Sequence, residues 1–475
     1  MANPGTLALP IAANALMTHQ TLETKIQSFG NPVDMLRRSQ TGTYVYPVPA
    51  EFTNWRDEQR AWRETAVLFD QSYHMTDVYF RGRDVVPLLS ALGVNSFKSF
   101  TPGKAKQFVP CNHDGYVIGD AILFHLEEHT VSIVGRPPVM NWVEFHARTG
   151  GYAVEVERDE RAVANPHARR TYRYQLQGPS ALKILERLNG GPLPQIKFFN
   201  MGEISIAGRR VRALHHGMSG EPGLEFWGPA EEGAEVRAAV VAAGREFGLL
   251  ESGYRAYSTS VLDAGWIPSP LPAIYSGHKM RPYREWLPAD SFEANASLGG
   301  SFRSDRIEDY YLTPWDLGYG AFVRFDHEFI GREALERLAK ESHRKKVTLA
   351  WNPDDVVRVF ASLLQKGDHG KYLDMPASHY ATLPYDNVTR GGQTVGLSTY
   401  SGYSSNDRTW LSLAMVNEAH SQPGTEVTLV WGEKSDGPRR PPIEPHVPME
   451  IRAIVSPCPY SEVARESYRP QVVRS

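Results

Sequence analysis

Between Asn54 and about residue 344 the chain alternates short apolar runs with stretches of helical spacing, and beyond that point only short runs broken by Gly and Pro remain. That switch constrains the fold more than any other feature of the sequence. Strands interleaved with helices and then strands alone describe sheets covered by helices, followed by an all-β unit. Asn54 caps a predicted helix to Thr65 that runs into a strand at Val67 to Asp70. Further strands are predicted at Val78 to Phe80, Ala105 to Pro110, Ile118 to Phe124, Thr130 to Val134 and Tyr174 to Gln177, with helices at Asp84 to Leu92 and Ser180 to Leu188. Ile204 to Ile206 and Val211 to Leu214 flank Ala207-Gly208 as a hairpin, and Ala234 to Phe247 is a helix closed by Gly248. The proline-dense stretch Pro268 to Pro288 is too long for a routine connection and is expected to be a functional lid or wall. The expected organisation is α+β: an N-terminal arm over 1–30, two interleaved lobes over 31–344, and a β-barrel domain over 345–475.

Composition excludes several functions. With 51 Lys and Arg against 54 Asp and Glu, the net charge is −3, so no broad field draws nucleic acid or an anionic membrane. No apolar stretch reaches the roughly 18 residues that span a bilayer. The apolar run Leu7 to Met17 lacks a basic region ahead of it, and Cys111 and Cys458 are too few for a disulfide framework or a four-thiolate zinc site. These features lead to the expectation of a cytoplasmic protein without a metal. His125-Leu-Glu-Glu-His129 matches an inverted zinc-protease pattern, but its neighbours have strand character, so a solvated hairpin turn is expected there. Dinucleotide, phosphate-loop and nucleophile-elbow motifs are absent.

Gly-rich turns holding polar residues remain. His216-Gly-Met-Ser-Gly-Glu-Pro-Gly-Leu-Glu225 places two carboxylates, Glu221 and Glu225, after a strand, with glycines that let a flat ligand approach the backbone. On spacing alone a surface hairpin with solvated acids is the favoured reading. Several blocks in order resemble the glycine-cleavage T-protein (aminomethyltransferase) family. They are Leu68-Phe-Asp-Gln-Ser72, Gly115-Tyr-Val-Ile-Gly-Asp120, Leu176-Gln-Gly-Pro-Ser-Ala181, His216 to Glu225, Gly253 to Trp266, Phe329-Ile-Gly-Arg-Glu-Ala-Leu335 and Gly396 to Ser405. The departures are Tyr257 where that family has Arg, Gly135-Arg136 for Asn-Ala, and Trp266 for Met. With Gln71 to Met75 and 266–275, they resemble the family's tetrahydrofolate-dependent aromatic O-demethylases.

The resemblance implies a three-lobed T-protein-like fold around a folate channel, tetrahydrofolate as co-substrate, and a methoxylated aromatic acid as methyl donor: syringate, vanillate or 3-O-methylgallate. Tyr73-His74 and the run Asn31 to Gln40 favour syringate. Tyr257 is the candidate proton donor to the departing phenolate, because its ordinary pKa near 10 matches that of a phenol. His74 would orient the substrate hydroxyl or relay the proton. Arg136 would fork the benzoate carboxylate, with Tyr46 and Tyr73 beside it. Glu225 resembles the family's pterin-gripping carboxylate, Glu221 is a second candidate, Trp266 offers a stacking face and Asp120 a supporting carboxylate. For each residue a packing role is the plainer alternative. Two other functions fit the resemblance: a relative acting on a sulfonium compound or a lipoyl-linked amine, and a non-catalytic folate-binding factor.

Overall fold

A computed structural model of the chain describes residues 20–165, 168–268, 270–434, 440 and 443–468. The predicted arm lies outside the described residues as far as residue 19; helix Leu22–Phe29 follows, with Leu22 fully buried. Three sheets organise what comes after. A six-stranded sheet has the order Leu249–Ser252, Ala66–Asp70, Thr171–Gln177, Gly223–Pro229, Arg209–Leu214, Met201–Ile206. Its first two strands are parallel and the remaining pairs antiparallel. A five-stranded antiparallel sheet has the order Ala105–Phe108, Ala121–Glu127, Thr130–Gly135, Thr76–Arg81, Glu155–Asp159. Consecutive strands Ala66–Asp70 and Thr76–Arg81 fall in different sheets, so the two lobes interleave. Six antiparallel strands from Lys345–Trp351 to Met449–Ser456 close into a barrel.

The expected α+β class and the C-terminal barrel are both present. The barrel is also fused to the rest: Leu397, Leu411 and Met415 join the same apolar core as Leu89, Ile133 and Tyr310. Arg63, on helix Trp55–Glu64, ties it further through ion pairs to Asp263 at 2.6 Å and to Asp407 at 2.8 Å.

Two expectations need correction. The Pro268 to Pro288 stretch is not a lid. Leu271, Ala273, Ile274 and Tyr275 are 0–2% exposed, the Leu271 N–H donates to the Tyr385 hydroxyl at 2.8 Å, and residues 271–275 are core packing, while 277–279 are exposed. His125 and His129 do flank a hairpin, but His125 is buried against Phe100, with ring centroids 4.8 Å apart, instead of being solvated.

Candidate active site

Four sequence-distant elements converge on one cavity of about 870 Å³, within the range of small-molecule sites. The turn after strand Ala66–Asp70 delivers Gln71 and His74. The short helix Tyr254–Tyr257 delivers Tyr257; it starts at Gly253, whose N–H donates to buried Glu58 at 2.9 Å and where any Cβ would lie 2.3 Å from the Ala50 carbonyl oxygen. Arg136 is the residue ahead of helix Pro137–Thr149, whose two leading prolines fix its start. Tyr46 comes from an irregular segment between helix Pro32–Arg38 and helix Trp55–Glu64.

These four candidates meet. The Tyr257 hydroxyl and His74 Nε2 share a hydrogen bond of 3.1 Å, and the Tyr46 ring lies 5.3 Å from Tyr257 and 5.0 Å from His74. Both members of the pair are under 7% exposed. Burial, reinforced by the charges of Arg136, Arg169 and Arg161, lowers the His74 pKa to about 3, so the imidazole is neutral. Burial also pushes the Tyr257 hydroxyl well above its ordinary value. The ordinary phenol value expected for Tyr257 from sequence therefore does not hold in this buried position. The Arg136 guanidinium lies 4.2 Å from the Tyr44 ring centroid.

The cavity's other walls carry two buried carboxylates. Asp120 Oδ2 accepts from Gln107 at 2.6 Å, Trp266 Nε1 at 2.8 Å and the Tyr319 hydroxyl at 3.0 Å, so Asp120 and Trp266 act as one unit. Glu225 lies one register step diagonal to Arg173 on the same sheet face and is ion-paired with it. Arg173 also reaches Asp77 of the other sheet at 3.0 Å, and Asp77 accepts from Arg169 at 2.5 Å, so a buried network joins the lobes beneath Glu225. Burial raises both carboxyl pKa values, countered at Asp120 by the Trp266 and Tyr319 hydrogen bonds and at Glu225 by Arg173.

Two candidates are not in the cavity wall. Tyr73 is 39% exposed and points away from its neighbour His74 in the turn. Glu221 faces Arg63 and Asp263, and its backbone carbonyl accepts from Gln177 at 2.9 Å. The run 31–40, taken as favouring syringate, forms helix Pro32–Arg38 and contributes nothing to the wall either; Arg37 donates to Gly300 O at 3.2 Å. The glycines of the 216–225 loop serve protein packing: a Cβ on Gly223, at φ +155, would lie 1.9 Å from Leu176 O, and one on Gly217 would lie 2.1 Å from Gln177 Nε2. Sequence reasoning missed Gln107, Tyr319 and Lys346, all in the wall, and gave Gln71 no role. Gln71 Oε1 is buried without a hydrogen-bond partner among the described residues. Among the described residues no group of His, Cys, Asp and Glu could hold a metal ion, and no helix is long and apolar enough to cross a membrane.

The fold encloses a roomy cavity of small-molecule size with flat aromatic walls and two separate buried carboxylates. The GCVT N-terminal domain family matches residues 37–269. A syringate O-demethylase of Sphingobium sp. SYK-6 is 50% identical, covering 94% of this chain and 98% of its own. A sesamin methylene transferase of Sinomonas sp. No.22 is 30% identical over 88% of this chain and 92% of its own. The crystal structure of the Bartonella henselae glycine cleavage aminomethyltransferase T shares the fold at TM-score 0.59 and 18% identity, over 90% of this chain and 95% of that one. The chain therefore belongs to the glycine-cleavage T-protein family, together with that syringate O-demethylase.

Proposed function

We propose that the protein demethylates a methoxylated benzoate, syringate foremost, with tetrahydrofolate as methyl acceptor. One observation carries the reading: Tyr257, His74, Tyr46 and Arg136 stand together in the same cavity as Asp120, Trp266 and Glu225. The cavity residues fit a pterin. Glu225 and Asp120 are acceptors for an aminopyrimidine edge, and the Trp266 indole, fixed by Asp120, is a stacking face. When bound, tetrahydrofolate supplies a secondary amine nitrogen, N5, that takes the methyl group.

The O–CH3 bond breaks, the N5–CH3 bond forms, the N5–H proton is released, and the ether oxygen gains a proton or an equivalent stabiliser, so the sum is a phenol and the methylated amine. Tyr257 is the group held for that oxygen. Because its pKa is raised above that of a phenol, it stabilises the departing phenolate by donating a hydrogen bond rather than by complete proton delivery. Neutral His74 holds the Tyr257 hydroxyl in one orientation. Arg136 supplies the positive charge for the ring carboxylate, and fixing the ring fixes the methyl carbon, an alignment that can lower the barrier by several kcal/mol. A sulfonium or amine substrate would meet like charge at Arg136. The test is anaerobic incubation with tetrahydrofolate and, separately, syringate, vanillate and 3-O-methylgallate. Equal amounts of demethylated phenol and 5-methyltetrahydrofolate support the assignment; no turnover despite folate binding overturns it.

A further inference from the structure

A second cavity, of about 330 Å³, adjoins the first and shares two lining residues with it, Tyr46 and Arg136. Its walls come from the irregular segment 43–46, from Tyr254 and Ser258 at the ends of the Tyr257 helix, and from the barrel domain. Tyr257 and His74 do not line it. The barrel side contributes His379, packed on the ring of Tyr400, whose own hydroxyl is committed to the Ser258 carbonyl at 2.7 Å. His379 Nε2 is buried and finds no hydrogen-bond partner among the described residues. His379 lines the cavity, and a buried polar atom without a partner beside a cavity marks a place where a ligand atom, with a small shift of the ring, would recover the free energy of the unmade hydrogen bond. Burial and the nearby Arg136 charge keep the imidazole neutral, with a pKa of about 3, so it has one N–H to give. Arg136 adds charge at the wall the two cavities share, and Tyr44 and Tyr46 add flat faces.

We infer that this second chamber takes the carboxylate end of the aromatic substrate, held between Arg136 and His379. We further infer that its volume admits acids whose carboxylate stands on a two-carbon unsaturated spacer, not only benzoates. The inference rests on the methoxybenzoate reading above. A ring with its methyl ether at Tyr257 and its far end placed between Tyr46 and Arg136, the side chains the two cavities share, carries its acid group into the chamber. His379 is then a substrate-binding residue supplied by the barrel.

The experiment measures binding of three probes to the full chain: syringate, the same ring without its carboxylate, and the propenoic-acid homologue of syringate. His379→Phe keeps the ring packed on Tyr400 but removes Nε2; His379→Gln returns an N–H. His379→Phe is expected to weaken syringate and its homologue by about tenfold or more, the loss of a hydrogen bond to a charged group. It should leave the acid-free ring and tetrahydrofolate unchanged, and His379→Gln should recover most of the loss. Equal effects on acid and acid-free ring, or no effect on either, overturn the role of His379. A native protein that binds syringate but excludes the homologue overturns the spacer. Binding of tetrahydrofolate with no methoxylated ring bound at all brings down the proposed function instead, a distinct signature.

Discussion

The Tyr257 hydroxyl lies 3.1 Å from His74 Nε2 although 183 residues separate them in sequence. The turn after the first strand and the short helix after the last strand of the same sheet bring them together, the parallel pairing of those two strands setting their common end. Tyr257→Phe removes only the hydroxyl. It is expected to lower kcat by about 10²–10³ while leaving the dissociation constants of both substrates within about twofold of native. Single-turnover kinetics beside equilibrium binding checks the split.

The pH profile should carry no signature of this pair. His74 titrates near 3 and Tyr257 well above 10, so neither changes charge near neutrality. Under saturating substrates kcat should be flat from about pH 6 to 9 on their account. An inflection near pH 6.5 that vanishes in His74→Gln would contradict the neutral, buried imidazole.

Glu221 has a different signature. Burial raises its carboxyl to about 7, against an ordinary 4.5, with Arg63 only partly offsetting it. The folded state therefore binds more protons than the unfolded state between those values, and stability falls as pH rises from about 4.5 to 7. Glu221→Gln removes that loss. The variant should match native in thermal unfolding near pH 4.5 and exceed it above pH 7.5, by on the order of 1 kcal/mol.

Arg173 should matter more to folding than the carboxylate it holds. Arg173→Met leaves Glu225 and one oxygen of Asp77 buried without their cation, at a cost of about 3–5 kcal/mol in chemical denaturation. Glu225→Gln keeps Arg173 paired with Asp77 and should cost less. Its main effect should be weaker tetrahydrofolate binding, by about tenfold. The double variant should regain part of the loss seen in Arg173→Met, since the two side chains are in contact.

Much of the architecture was legible because strand and helix periods differ. The run ending at Asp70, the hairpin at Ala207-Gly208 and the change of pattern near Lys345 all fall where local chemistry marks them. Seven of the proposed site residues share the cavity because motif order carries them there. Tyr73 and Glu221 do not, since a neighbour in sequence is not a neighbour in direction: a turn sends Tyr73 outward while His74 goes in, and the Gln177 clamp on the 218–221 backbone turns Glu221 toward Arg63. Tyr319, Lys346 and His379 were invisible for another reason. They reach the cavities from segments with no motif, by contacts across more than a hundred residues that no local period records.

The bond from the Trp266 indole to Asp120 gives the protein an optical reporter of its own. A chromophore whose N–H is fixed to a carboxylate and whose face borders the cavity changes emission when a flat heterocycle covers it or when that carboxylate gains a proton. In a background where the other tryptophans are silenced, occupancy of the cavity would be read as light, without label and in real time.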